Sequence, residues 1–167
     1  MFTPLREGLG QLNYSKIRRK VLECFAKNNY ELLEKELKTF SNNQLEAIFL
    51  KEGRTFLERA INQSNVLALS FMRSKIPSKI IVPILNEGNF SLLKQFLSGQ
   101  AMMEKCNFSS EKERNLRVEK LKIISEIDQD GIVEFVKSSE VNNEDYLTSE
   151  IKEDLYSCLI STKSKKY

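Results

Sequence analysis

Apolar residues return at three- and four-residue steps along most of this chain, and that period, more than any other feature, limits what it can fold into. From Ser15 onward, Ile17, Val21, Leu22 and Phe25 mark one side of a helix, with Lys16, Arg18, Arg19 and Lys20 mostly outside it. Asn28 and Asn29 interrupt the run, and Tyr30, Leu32, Leu33 and Leu37 resume it. Asn29 is placed to accept a first-turn amide, and Glu31 lies near the positive helix end. The segment reads helix, turn, helix. Strands would need turns that the chain does not have: 6 Gly and 3 Pro in 167 residues leave few sites for tight hairpins.

The same grammar returns downstream. Ser41, Asn42 and Asn43 open a segment with Leu45, Ile48 and Phe49 on one side, and Gly53 is expected to end it in a left-handed cap. Thr55 is then expected to cap a second segment carrying Phe56, Leu57, Ala60 and Ile61, followed after Ser64 and Asn65 by Ala68, Leu69, Phe71 and Met72. Residues 76–85 are the most apolar stretch, and Ile80, Ile81 and Val82 would also suit a strand. A short buried helix is preferred, because Glu87, Gly88 and Asn89 supply a stop and a cap before Leu92, Leu93, Phe96 and Leu97 run at helical spacing to Gly99. Pro83 argues against that helix, since a proline past the first turn costs about 3 kcal/mol.

Ser110 and Glu113 then form a capping box ahead of a longer helix with Leu116, Leu121, Ile124 and Ile127, whose charged face is expected to be solvated. Asp128 to Gly131 breaks the chain before Ile132, Val133, Phe135 and Val136. Residues 144–162 read as a terminal amphipathic helix, and 163–167 as a basic tail with Lys163, Lys165 and Lys166, expected to fray. The expected fold is therefore all-α and a single domain over 1–167, an irregular stack of helix-turn-helix pairs over 15–139 with a longer C-terminal helical part.

Internal repetition gives the pairs a family likeness. Asn29, Asn65, Asn89 and Gln129 act as anchors, followed three and four positions later by Leu32 and Leu33, Ala68 and Leu69, Leu92 and Leu93, and Ile132 and Val133. The sharpest copy, Gly53 through Met72, resembles an ankyrin repeat: Gly53, Thr55, Leu57, Ala60, Asn65, Ala68 and Leu69 match the family pattern, while Phe56 and Glu58 replace its usual proline and histidine. Residues 86–94 resemble the turn and second helix of another copy, and 27–33 are similar. The anchor intervals are uneven, the middle one shorter and the last longer than the roughly 33 residues of a regular unit. The resemblance implies a stacked array that binds a protein partner through loop tips and first-helix faces, with Arg54, Arg59, Gln63 and Glu87 as contact residues.

Composition narrows the chemistry. An apolar fraction of 41% with 29% charged residues suits a folded globular chain and is too apolar for a disordered one. No histidine is present, which removes the commonest general base, and no Gly-rich phosphate loop occurs. Cys24, Cys106 and Cys158 are odd in number, lie far apart and form no CxxC pair, so they read as reduced thiols, with Cys24 and Cys158 as small core residues. Asp128 and Asp130 lack the later oxygen ligands of a calcium loop and read as a solvated turn.

No metal, no cofactor and no catalytic residue are expected. No stretch reaches the roughly 18 apolar residues of a membrane span, and the start MFTPLREGLG lacks the apolar core of a cleaved signal. A cytoplasmic, non-enzymatic protein-interaction module follows as the expectation, an adaptor or an effector. The acidic cluster from Glu140 to Asp154, followed by a lysine tail, loosely resembles the secretion signals of effectors injected by intracellular bacteria. The alternative is a compact helical protein that binds nucleic acid through its basic N-terminal helix. A net charge of +3, from 26 basic and 23 acidic residues, gives that alternative little support.

Overall fold

Most of the helices begin where a short polar side chain satisfies an amide that has no carbonyl partner, the helix that follows Pro77 being an exception. In the computed structural model, which describes residues 12–164, Asn13 Oδ1 accepts the Lys16 amide at 3.1 Å and opens α1, Tyr14–Lys27. Asn28 takes the left-handed conformation (φ 54°) that ends α1. Asn29 Oδ1 accepts from Leu32 N and opens α2, Tyr30–Leu37. Ser41 and Gln44 cap α3, Asn42–Asn62, reciprocally: the Gln44 amide donates to Ser41 Oγ at 3.2 Å and the Ser41 amide to Gln44 Oε1 at 2.9 Å. Asn65 Oδ1 receives the Leu67 amide at the start of α4, Leu67–Lys75.

After α5, Ser78–Lys105, Ser110 Oγ caps α6, Glu111–Ile127, and Asp128 Oδ1 caps α7, Gln129–Val141, through the Gly131 amide at 3.1 Å. Thr148 Oγ1 receives the Ile151 amide at the start of α8, Ser149–Ser164. The fold is all-α, and no strand occurs among the described residues. Residues 163 and 164 close α8, while Lys165 and Lys166 of the expected basic tail lie outside the described residues, as does the start read for a cleaved signal.

Three glycines expected to stop helices behave differently from one another. Gly53 stops nothing: α3 runs through it and through Thr55, so Thr55 caps no helix and the opening turn of the sharpest ankyrin-like copy is absent. The reason is packing. Gly53 is buried where α3 meets α5, and a methyl there would collide with Ile84 Cδ1 and lie 3.2 Å from Ile84 Cγ1. Gly88 does stop a helix, in a sharper way than a simple cap. Gly88, Asn89 and Phe90 all take left-handed angles (φ 63°, 55° and 63°), dividing α5 into arms 78–86 and 91–105.

A left-handed phenylalanine is strained. It is held by its ring, which packs 5.5 Å from Phe135 of α7 and reaches into the space that the missing side chain of Gly131 leaves. Gly99 stops nothing either, since the second arm continues to Lys105. Pro83 sits inside the first arm, on its exposed side, where water can satisfy the carbonyl that its missing N–H leaves free.

The principal packing runs in two rows. α1 packs on α3, α3 on α5 and α5 on α7; α2 packs on α4, α4 on α6 and α6 on α8. Chain neighbours close the gaps between rows, and one apolar core runs through both, from Val21 and Phe25 through Leu57, Leu69 and Leu93 to Ile124, Val136 and Leu155. α6 departs from expectation on its charged face, where Arg117 and Lys120 are buried instead of solvated.

Candidate functional site

An open groove of about 1190 Å³ is walled by the end of α3, the link into α4, the second arm of α5 and the first three turns of α6. Its floor is built from one cation and one ring. Lys120 Nζ, drawn under the groove by the packing of α6, donates to the Gln63 carbonyl at 2.5 Å and stands 5.4 Å from the centre of the Phe96 ring. Burial pushes the Lys120 ammonium below its ordinary value. Gln63, at the end of α3, also places its side-chain oxygen in a buried position with no hydrogen-bond partner.

The walls differ. On α5, Gln95, Gly99 and Met103 recur every fourth residue and so share one helix face toward the groove. On α6, Glu111, Asn115 and Glu119 do the same. Above the floor, Leu67 is left 47% exposed at the start of α4, a large apolar side chain at the groove edge. Behind the α6 wall lies an ion-pair cluster centred on the buried Arg117 and Asp154: the Arg117 guanidinium donates to Asp154 Oδ2 from Nη2 at 2.7 Å and from Nε at 3.0 Å, and to Glu104 Oε1 from Nη1 at 3.0 Å. Arg114 adds a bond to Asp154 Oδ1 at 3.2 Å.

The four contact residues expected from the sequence fall in three places. Arg54 and Glu87 meet at the α5 turn, where Arg54 Nη1 donates to Ser91 Oγ at 2.8 Å and lies 3.9 Å from Glu87 Oε1. Gln63 belongs to the groove. Arg59 stands exposed on α3, with no hydrogen bond or ion pair among the described residues. The structure thus brings Arg54 and Glu87 together as a clamp across the turn and separates them from Gln63 and Arg59.

Lys120 and the amides Asn62, Gln95 and Asn115 were not singled out in the sequence, where Phe96 was read as an apolar helix residue. Gly99 was singled out, but as a helix stop. The available signal was the four-residue spacing of Gln95, Gly99 and Met103 and of Glu111, Asn115 and Glu119, each of which makes a row on one helix face.

Other candidates resolve into structure. Cys24 and Cys158 are buried, and burial raises both thiols, Cys158 to about 11; Cys106 is exposed, and no disulfide joins the three. Asp128 caps α7, and among the described residues no group of three or more His, Cys, Asp or Glu is arranged to hold a metal. Within the basic run of α1, Arg18 pairs with Glu52 at 3.4 Å and Lys20 with Glu36 at 2.9 Å, while Lys16 and Arg19 are exposed and make no ion pair among the described residues. Part of the acidic cluster is likewise internal: Asp154 faces Arg117, and Glu140 bonds Tyr156 and lies 3.3 Å from Lys152.

Among the described residues no helix is long and apolar enough to cross a membrane. No family model, curated protein or solved structure matches this chain.

Proposed function

We propose that this chain is a non-enzymatic protein-interaction module, an adaptor or effector working in a cytosol, whose partner seats in the groove between the α3 to α4 link, α5 and α6. The observation that carries this is the groove itself: a surface depression of about 1190 Å³, open to solvent, floored by Phe96 and Lys120 and edged by polar side chains. Two rows of helices, each packed on the next in its row, leave such a face uncovered because each helix pair buries its apolar side only against its neighbours. This reading does not require the ankyrin resemblance, whose sharpest copy lacks its opening turn. It also places the partner away from Arg54 and Glu87, which bind each other.

The test is affinity capture with the full chain as bait, followed by calorimetry with the purified partner. A saturable complex that survives nuclease treatment and is displaced by neither random DNA nor random RNA supports the reading. If no purified protein binds saturably, or if nuclease releases everything captured, the reading fails.

A further inference from the structure

The groove's chemistry narrows the class of partner. Asn62, Gln95 and Asn115 line it with exposed amides that have no side-chain hydrogen bond among the described residues, and Gln63 adds a buried side-chain oxygen in the same condition. A side-chain amide offers both a donor and an acceptor, the complement of a peptide group, and a buried acceptor left unbonded calls for an N–H. Gly99 supplies room. It lies mid-helix, where glycine costs about 1 kcal/mol relative to alanine, and a side chain there would meet no atom within 4 Å. Absence of a Cβ at such a place lets another backbone approach closely.

Charge supplies direction. Glu111, Glu113 and Glu119 on the α6 wall make no ion pair among the described residues, against one exposed cation on that wall, Lys112. Lys120 is buried beneath and Arg117 is consumed by Asp154 and Glu104. In a chain whose net charge is +3, this wall is locally acidic.

Resting on the interaction reading above, we infer that the groove binds an extended segment of another protein that carries two basic residues four positions apart, with apolar residues between them. The spacing is geometric. Four helical residues advance about 6 Å, close to the roughly 6.6 Å of two extended residues, so a strand lying along α6 meets Glu111, Asn115 and Glu119 at every second residue. Basic side chains then reach Glu111 and Glu119, Asn115 pairs with the main chain between them, and apolar side chains of the segment cover Phe96 and Leu67.

The experiment uses the full chain and fluorescein-labelled pools of random 11-residue peptides, one pool fixed with Lys at positions 4 and 8 and Leu at 5 and 7, a second with Glu replacing both Lys. Fluorescence anisotropy should show at least tenfold tighter binding of the lysine pool. Gly99→Leu, which fills the groove, and Glu119→Lys, which reverses one wall charge, should each weaken it at least tenfold. Arg59→Glu should leave it unchanged. A cooperative thermal melt with a midpoint no lower than that of wild type shows that each variant is folded, and Gly99→Ala provides a second, milder filling.

Equal binding of the two pools, or binding that Gly99→Leu does not change, overturns the inference. A captured partner protein whose affinity survives both Gly99→Leu and Glu119→Lys also overturns it while leaving the interaction function standing; failure of every peptide and every captured protein sinks both.

Discussion

The seam between α3 and α5 and the seam between α6 and α8 are the two most extensive helix contacts in the molecule, and they rest on different physics. The first is apolar and depends on a missing side chain: Gly53 lets Ile84 of α5 press against the α3 backbone, with Phe49, Phe56 and Leu57 filling the surroundings. The second adds a buried ion pair to apolar contacts such as Leu121, Ile124, Ile151 and Leu155. Arg117 crosses it with no exposed side-chain surface, held to Asp154 and Glu104, while Arg114 and Cys158 flank the pair.

An apolar seam is destabilised both by lost contacts and by added volume, and where a neighbour already fills the space a new side chain has nowhere to go. A buried ion pair tolerates joint replacement by apolar groups but not the loss of one partner, because the survivor is left charged and desolvated. The groove lies where the two regimes meet, with Gly99 on the α5 side and the acidic α6 wall on the other.

The sharpest way to break the comparison is Arg117→Leu, which should cost about 3–5 kcal/mol in chemical denaturation, toward the lower end because Arg114 still faces Asp154. The double change Arg117→Met with Asp154→Leu should recover most of that loss. A single change as mild as the double would show that the pair does not hold the seam. Next, Gly53→Leu should destabilise by about 1–3 kcal/mol through overpacking, and a double-mutant cycle with Ile84→Ala should show coupling of roughly 1 kcal/mol. Simple additivity would remove the close approach as the cause.

The third test separates the seams by pH. Burial holds the Cys158 thiol at about 11 in the folded chain against 9.0 unperturbed, so the folded state keeps its proton longer. The stability this contributes is present in full below about pH 9 and is lost as pH rises through about 11. The stability difference between wild type and Cys158→Ala should therefore shift against wild type by about 1–2 kcal/mol across that window, while the difference between wild type and a Gly53 variant stays flat. The smallest effect is Gly99→Ala, expected to stabilise by about 0.5–1 kcal/mol, since it restores helix propensity without a clash. A destabilised Gly99→Ala would mean that the α5 face is packed after all.

Much of the helical plan was legible because caps and periodicity are local. Asn29, Ser41, Ser110 and Asp128 each stand one residue before a helix start and bond an amide within it. The helix over 76–85 was legible too, in spite of Pro83, because apolar spacing outweighed strand-like composition. Gly53 was misread because glycine is used both to turn left-handed and to admit a neighbour, and the two uses look alike in a single sequence. The groove was mostly illegible for a related reason. Of the expected contact residues only Gln63 reaches it, since its floor joins Gln63, Phe96 and Lys120, residues far apart in the chain whose meeting depends on how α5 and α6 lie against the end of α3.

By itself, the sequence determined the helical period, most helix starts, the break at Gly88 and the places of Cys24 and Cys158 on apolar faces, all consequences of interactions reaching about one helical turn. Only the tertiary structure decided that α3 passes unbroken through Gly53, that Arg117 is buried on a face rich in charge, and that an amide-lined groove opens beside Gly99. Those outcomes depend on long-range packing, where the space that a neighbouring helix occupies or leaves empty outweighs what any residue prefers alone.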